Sequence, residues 1–234
     1  MPVGAVTAMR KNVSAAFAGL FSATLLSAGF LLTAGPAASA GDQQKQGFDF
    51  YVLSLSWSPS WCATHPQGQK TMQCDPSKDF GFIVHGLWPQ NESGYPEFCA
   101  TRESDRVPDN LGKRYLDIIP SMGLIGHEWR KHGTCSGLKQ ADYLQTVRSA
   151  YNKITIPPSL AKLDQGKSAD PGDIEKAFLA ANPGMSPKGI AVSCASKMLQ
   201  EVRICMTKDL QFRDCAEVDA DACPLKSVNI PPVR

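Results

Sequence analysis

Residues 80–90 read Phe80-Gly81-Phe82-Ile83-Val84-His85-Gly86-Leu87-Trp88-Pro89-Gln90. The run from Phe80 to Val84 is aromatic and β-branched between turn residues, which excludes a helix and predicts a short strand. His85 then stands at the strand's end, just before Gly86. A polar side chain facing a loop there is a common setting for a catalytic group.

Upstream, Phe48 to Trp57 alternates aromatic, aliphatic and small polar residues and reads as a second strand. Late strands are expected over Ile190 to Cys194, Glu201 to Met206 and Leu210 to Phe212, the last two joined by a tight turn at Thr207-Lys208-Asp209. Helical patterns fill the middle of the chain. Asp109 to Ile119 places Leu111, Tyr115, Ile118 and Ile119 on one face and stops at Pro120. Gly126 to His132 is a short helix ended by Gly133. Gln140 to Ile154 is amphipathic through Tyr143, Leu144, Val147 and Tyr151, and Pro157-Pro158 ends it. Asp170-Pro171 fits an N-cap followed by Pro at the first helical position, opening a helix to about Ala181. No repeat or linker interrupts the pattern, so residues 41–234 are expected to form one α+β domain.

The first forty residues differ from the rest. Arg10 and Lys11 precede an apolar stretch from Val13 to Ala34, followed by Pro36 and the small-x-small site Ala38-Ser39-Ala40. This order predicts a cleaved secretory signal over residues 1–40. An uncleaved anchor is the rival reading, since about 20 apolar residues can span a bilayer. Ser22, Ser27 and the glycines interrupt the stretch, and Ala38-Ser39-Ala40 favours cleavage. No later segment is apolar enough to span, so no membrane association is expected after cleavage, and the location is periplasmic or secreted.

The chain has 24 Lys and Arg against 22 Asp and Glu, a formal charge of +2. The first forty residues hold two of the bases and no acid, so the remainder is neutral. That excludes a polybasic wrapper of nucleic acid and an acidic tail protein. The hydrophobic fraction of 43% excludes a disordered chain. An anionic partner must therefore be gripped locally. All 8 cysteines follow the signal: Cys62, Cys74, Cys99, Cys135, Cys194, Cys205, Cys215 and Cys223. An even count in an exported chain predicts four disulfides, with 105 pairings open. A zinc site is disfavoured because no Cys-x-x-Cys occurs.

Three of the 4 histidines fall in two short segments. One holds His85. The other is His127-Glu128-Trp129-Arg130-Lys131-His132-Gly133-Thr134-Cys135. On a helix His127 neighbours Lys131, and Glu128 neighbours both Lys131 and His132. Trp129 and Arg130 point elsewhere. Each cluster has a bland reading taken singly: a hydrogen-bonded structural histidine, or a solvated stripe of ion pairs. Together they outweigh it, because a solvated face rarely spends two of four histidines within six residues. His127-Glu128 before His132 also resembles a zinc-protease motif, but the second histidine sits at i+5, about 140° round the helix from the first. No metal and no cofactor are expected. Two histidines with Lys131 and Glu128 suit proton transfer on an anionic substrate. Lys131 supplies positive charge for phosphoryl oxygens, and Trp88 a surface on which a base can stack. RNA fits, since its 2′-hydroxyl is an internal nucleophile.

Residues Phe82 to Gln90 and His127 to Cys135 resemble the two active-site segments of the ribonuclease T2 family. Leu55-Ser56-Trp57-Ser58-Pro59-Ser60-Trp61-Cys62 resembles the family's first strand and following cysteine. The order and spacing carry the likeness over most of the chain, while Ile154 to Ser186 aligns to nothing. The resemblance implies a central, mostly antiparallel sheet with packed helices. It implies that His132 is the general base, His85 the general acid and His127 a phosphate ligand, with Glu128 and Lys131 steadying the transition state. Trp88 would stack on a base. Gln90 stands where some relatives carry an acid that contributes to base choice, so a broad base preference is expected. The implied disulfides are Cys62–Cys74, Cys99–Cys135, Cys194–Cys223 and Cys205–Cys215. The partner is single-stranded RNA and not DNA, and a monomer is expected. A non-catalytic relative is the alternative, disfavoured because both His85 and His132 are present. His65 is a loop residue without a role. Tyr51, Trp57 and Trp61 are expected to pack, and Asn91-Glu92-Ser93 is read as a chance glycosylation sequon.

Overall fold

A computed structural model of the chain describes residues 47–161 and 163–233; the predicted signal lies outside them. Six strands, β1 (Phe50–Trp57), β2 (Phe82–Gln90), β3 (Lys167–Ala169), β4 (Ile190–Ala195), β5 (Met198–Met206) and β6 (Val228–Ile230), form one sheet. Seven α-helices accompany it among the described residues: α1 (Ser58–Thr64), α2 (Asp109–Gly112), α3 (Met122–Lys131), α4 (Gln140–Asn152), α5 (Pro158–Ala161), α6 (Pro171–Ala181) and α7 (Ala216–Ala220). The fold is α+β with a mostly antiparallel sheet, as expected. Strands β2-β1-β5 are antiparallel neighbours, β4 pairs antiparallel with β5, and among the described residues only the β5–β6 pair is parallel.

The period of two in β1 decides what each face does. Tyr51, Leu53, Leu55 and Trp57 enter the main core with Trp129, Tyr143, Leu144 and Phe178 from the helices. Phe50 and Val52 face the other way and join Cys205, Cys215 and Val218 in a smaller cluster. Further along that second face come Ser54 and Ser56, where the apolar cover ends.

Strand β2 runs to Gln90 and does not stop at Val84, so His85 lies inside the strand and not at its end. Gly86 and Pro89 made the sequence look like a strand ending. Both are tolerated because β2 is the edge strand of the sheet, where Pro is permitted. The pairing Leu55↔Val84 is followed by Ser54↔Gly86, so His85 is the extra residue of a β-bulge. The bulge keeps both Val84 and Leu87 in the core. It also re-aims His85 out of the core, the usual use of a bulge beside a functional site.

Other boundaries moved for local reasons. α3 begins at Met122 and not Gly126, because Ser121 caps it, its Oγ accepting from Leu124 N–H at 3.2 Å. The segment predicted as one helix from Asp109 to Ile119 is α2 followed by a 3-10 turn at Lys113–Tyr115. Its end unwinds so that the Ile118 carbonyl accepts from Val84 N–H at 2.8 Å, satisfying the edge of β2. Leu210 to Phe212 gives one bridge, Met206↔Phe212, and no strand. α4 and α6 lie where expected, and the Asp170 side chain accepts from Gly172 N–H at 2.8 Å. The four disulfides are Cys62–Cys74, Cys99–Cys135, Cys194–Cys223 and Cys205–Cys215, the pairing that the resemblance implied.

Candidate active site

The site forms where the second face of the sheet meets α3. β2 contributes His85, Gly86 and Trp88. α3 places Ile125 and Trp129 in the main core. The same helix turns Glu128 inward, where it is 3% exposed, and His132 at its end is also buried. His127 is exposed. Among the described residues no three His, Cys, Asp or Glu side chains converge as metal ligands. Arg130 is exposed and Trp129 Nε1–H donates to the Ser104 carbonyl at 2.8 Å, so both point away as expected.

Trp88 is the pivot. Its indole N–H donates to Glu128 Oε2 at 2.8 Å. The His132 ring stacks on it at 5.3 Å between centroids, and His85 meets it edge-on at 5.4 Å. Glu128 Oε1 also lies 3.7 Å from His85 Nε2. This approach depends on Gly86, since a Cβ there would fall 2.0 Å from Glu128 Oε2 and 2.3 Å from Trp88 Nε1. Lys131 sits 3.6 Å from Glu97 and 5.9 Å from the Tyr95 ring centre. The Cys99–Cys135 disulfide ties the Tyr95 loop to the end of the His127–Cys135 segment.

The pKa values of His85 and His132 are pushed in opposite directions. For His85, burial favours the neutral imidazole, but the hydrogen bond and charge of Glu201, with Glu128, outweigh it and raise its pKa. For His132, burial and the nearby charges of Lys131, His85 and His127 all act together and lower the pKa to about 3. Its Nδ1 is buried with no hydrogen-bond partner among the described residues. Burial, partly offset by His85 and the Trp88 hydrogen bond, raises the Glu128 carboxyl to about 7. Burial and the charges of Lys131 and Arg130 lower the exposed His127.

A cavity of about 370 Å³ is lined by His85, Trp88, Gln90, Tyr95, His127, Glu128, Lys131 and His132, so every residue singled out for chemistry or binding in the sequence shares it. A second cavity of about 420 Å³, lined by Ser56, Trp61, Ser121, Leu124 and Glu201, also reaches His85. Trp61 is therefore half-buried on a cavity wall, stacked on His65 at 4.8 Å, whereas Tyr51 and Trp57 are core residues. Sequence reasoning missed three residues here. Tyr95 is 51% exposed above Lys131 and His132. Glu201 and Arg203 come from β5, where two charges at i and i+2 in a mostly apolar strand are the available signal.

The comparisons with known proteins agree with this geometry. Residues 48–215 match the model of the ribonuclease T2 family. A ribonuclease of Aeromonas hydrophila is 37% identical over 166 residues, 69% of this chain and 73% of its own length. An RNase-related protein from Calystegia sepium superposes with a TM-score of 0.66 at 26% identity, over 80% of this chain and 99% of its own. RNase NT, crystallised in complex with 5′-AMP, gives a TM-score of 0.60 at 24% identity, covering 79% and 98%. The chain belongs to the ribonuclease T2 family of RNA-cleaving endoribonucleases.

Proposed function

We propose that the chain cleaves single-stranded RNA without a metal, by proton transfer between His132 and His85. His132 takes the proton of the 2′-hydroxyl as its oxygen attacks phosphorus. His85 gives a proton to the 5′-oxygen as the P–O5′ bond breaks. The products are a 2′,3′-cyclic phosphate and a free 5′-hydroxyl. Water then opens the cyclic phosphate to a 3′-phosphate, with the two histidine roles exchanged. The observation that carries this reading is the opposed electrostatics of the pair: burial keeps His132 neutral, as a base must be, while buried carboxylates favour charged His85, as an acid must be. An arriving phosphate diester adds negative charge beside His132 and raises its basicity when it is needed.

Lys131 supplies positive charge that meets the phosphate, His127 adds a ring N–H that can donate to it, and Glu128, held by Trp88, faces the same cavity. Trp88 and Tyr95 offer aromatic surface for a base, and Gln90 brings a neutral amide to that wall, which suits a broad base preference. The two cavities meet at His85, which fits an RNA strand with a nucleoside on each side of the cleaved bond. RNase NT with 5′-AMP and an RNase MC1 mutant with 5′-UMP show nucleotides bound by proteins of this fold. Four disulfides suit an oxidising compartment, and no helix among the described residues is long and apolar enough to cross a membrane. With residues 1–40 as a cleaved signal, the protein acts in the periplasm or outside the cell, as one monomeric domain.

The test is a chimeric oligonucleotide. An otherwise deoxy strand with one ribonucleotide is expected to be cut only 3′ of that ribonucleotide, leaving a cyclic phosphate. Cutting of the all-deoxy strand would contradict the mechanism.

A further inference from the structure

We propose that Glu201 is a positioning residue for the general acid: it reaches across strand β1 to hold the Nδ1 side of His85, so that Nε2 is the nitrogen that delivers the proton. The inference rests on the acid role of His85 given above. It stands on the register of three strands. Ser56 of β1 pairs with Ile83 of β2 on one side and with Glu201 of β5 on the other; Ser54 likewise pairs with Gly86 and Arg203. His85 and Glu201 are thus on strands two spacings apart, roughly 9–10 Å. Two side chains can meet across that gap only if the intervening strand presents small residues on that face. Ser54 and Ser56 are those residues, and the His85 Nδ1 and Glu201 Oε1 atoms meet in a short hydrogen bond above them.

Two bulges aim the partners at each other. His85 is the extra residue of the β1–β2 pairing. On β5, Ser193↔Glu201 is followed by Cys194↔Leu199, so Gln200 is the extra residue there. That shift keeps Leu199 and Val202 both in the main core and leaves Glu201 with Arg203 on the site face. Glu201 is 2% exposed and fully engaged. Ser56 Oγ–H donates to its Oε1 at 3.3 Å, and Arg203 Nε–H donates to Oε2 at 3.0 Å. The Arg203 guanidinium also lies 5.5 Å over the Trp88 ring. A buried carboxylate that keeps its charge needs such partners. Holding one ring nitrogen of a histidine fixes which nitrogen is free for chemistry. The other charged or titratable groups on the cavity that His85 lines are His127, Glu128 and Lys131 of α3, His132 just after it, Tyr95, Glu217 of α7 and Asp221.

The experiment compares Glu201→Gln and His85→Ala with the native enzyme on two substrates. One is a dinucleotide, whose 5′-alkoxide leaving group needs a proton. The other is a nucleoside 3′-(4-nitrophenyl) phosphate, whose phenolate leaves without one. Gln keeps the shape but has a single acceptor oxygen, so it can accept on the Arg203 side or on the Ser56 and His85 side, not on both. Glu201→Gln is expected to lower kcat on the dinucleotide about 10²-fold with little change in KM, and to lose much less on the aryl ester. The basic limb of its kcat–pH profile is expected to move to lower pH, because His85 loses the carboxylate that favours its charged form. Equal losses on both substrates, or an unchanged basic limb, would reduce Glu201 to a structural residue and overturn the proposal. If His85→Ala abolishes dinucleotide turnover while Glu201→Gln stays within about two-fold of native, the Glu201 inference fails and the acid assignment stands. If His85→Ala keeps dinucleotide turnover, the acid assignment itself fails.

Discussion

His85→Phe and His132→Phe are each expected to lower kcat on RNA by about 10²–10⁴-fold, the contribution of one positioned proton transfer. Phe preserves the ring packing on either side of Trp88 while removing both nitrogens. His132 Nδ1 has no partner to lose among the described residues, so His132→Phe should unfold near the native temperature, whereas His85→Phe also takes a hydrogen bond from the buried Glu201 carboxylate and should melt lower. The double variant is expected to be little worse than either single one, because a base without its acid gains little from the remaining partner. His127→Phe differs. That ring is exposed on the cavity rim, so its removal should raise KM more than it lowers kcat. Steady-state kinetics on a dinucleotide and on polymeric RNA distinguish these outcomes. Near-normal turnover by His132→Phe would refute its assignment as base.

Gly86→Ala is expected to cost about 10²-fold in kcat, the size of effect produced by a misplacement of about 1 Å in a catalytic group. The added methyl would sit 2.0 Å from Glu128 Oε2 and 2.3 Å from Trp88 Nε1. Neither separation is tolerable, so the carboxylate and the indole must part and their hydrogen bond breaks. Both groups sit at side-chain ends on the site face, and the main-core contacts of Val84, Leu87 and Trp129 lie on the other side of β2. Folding should survive with a penalty of about 1–3 kcal/mol, typical of overpacking by one methyl. Circular dichroism and a melting curve check the fold, and single-turnover cleavage checks the chemistry. Activity within two-fold of native would show that the Gly86–Glu128–Trp88 contact does not position the site.

How much of this was legible in the sequence depended on the range of the interaction. α4 and α6 could be read because periodicity, an Asp170 cap and flanking prolines all lie within one element. β3 and β6 could not, being three residues each and too short for any alternation. His85, His127, Glu128, Lys131 and His132 were legible as chemistry because each cluster is local and matches a family pattern. The bulge at His85 was not, since a bulge shows only against a partner strand. Glu201 falls in a legible strand, but nothing local in the sequence gives it a role. It is 116 residues from His85, and only the sheet register, with two serines between them, brings the pair together.

The most direct measurement is cleavage of RNA by the disulfide-bonded protein in excess EDTA, with the ends of the early products identified by mass spectrometry. The account predicts full activity, with 2′,3′-cyclic phosphates appearing first and 3′-phosphates accumulating later. No cleavage, cleavage only after a divalent metal is restored, or products with 5′-phosphate ends would contradict it.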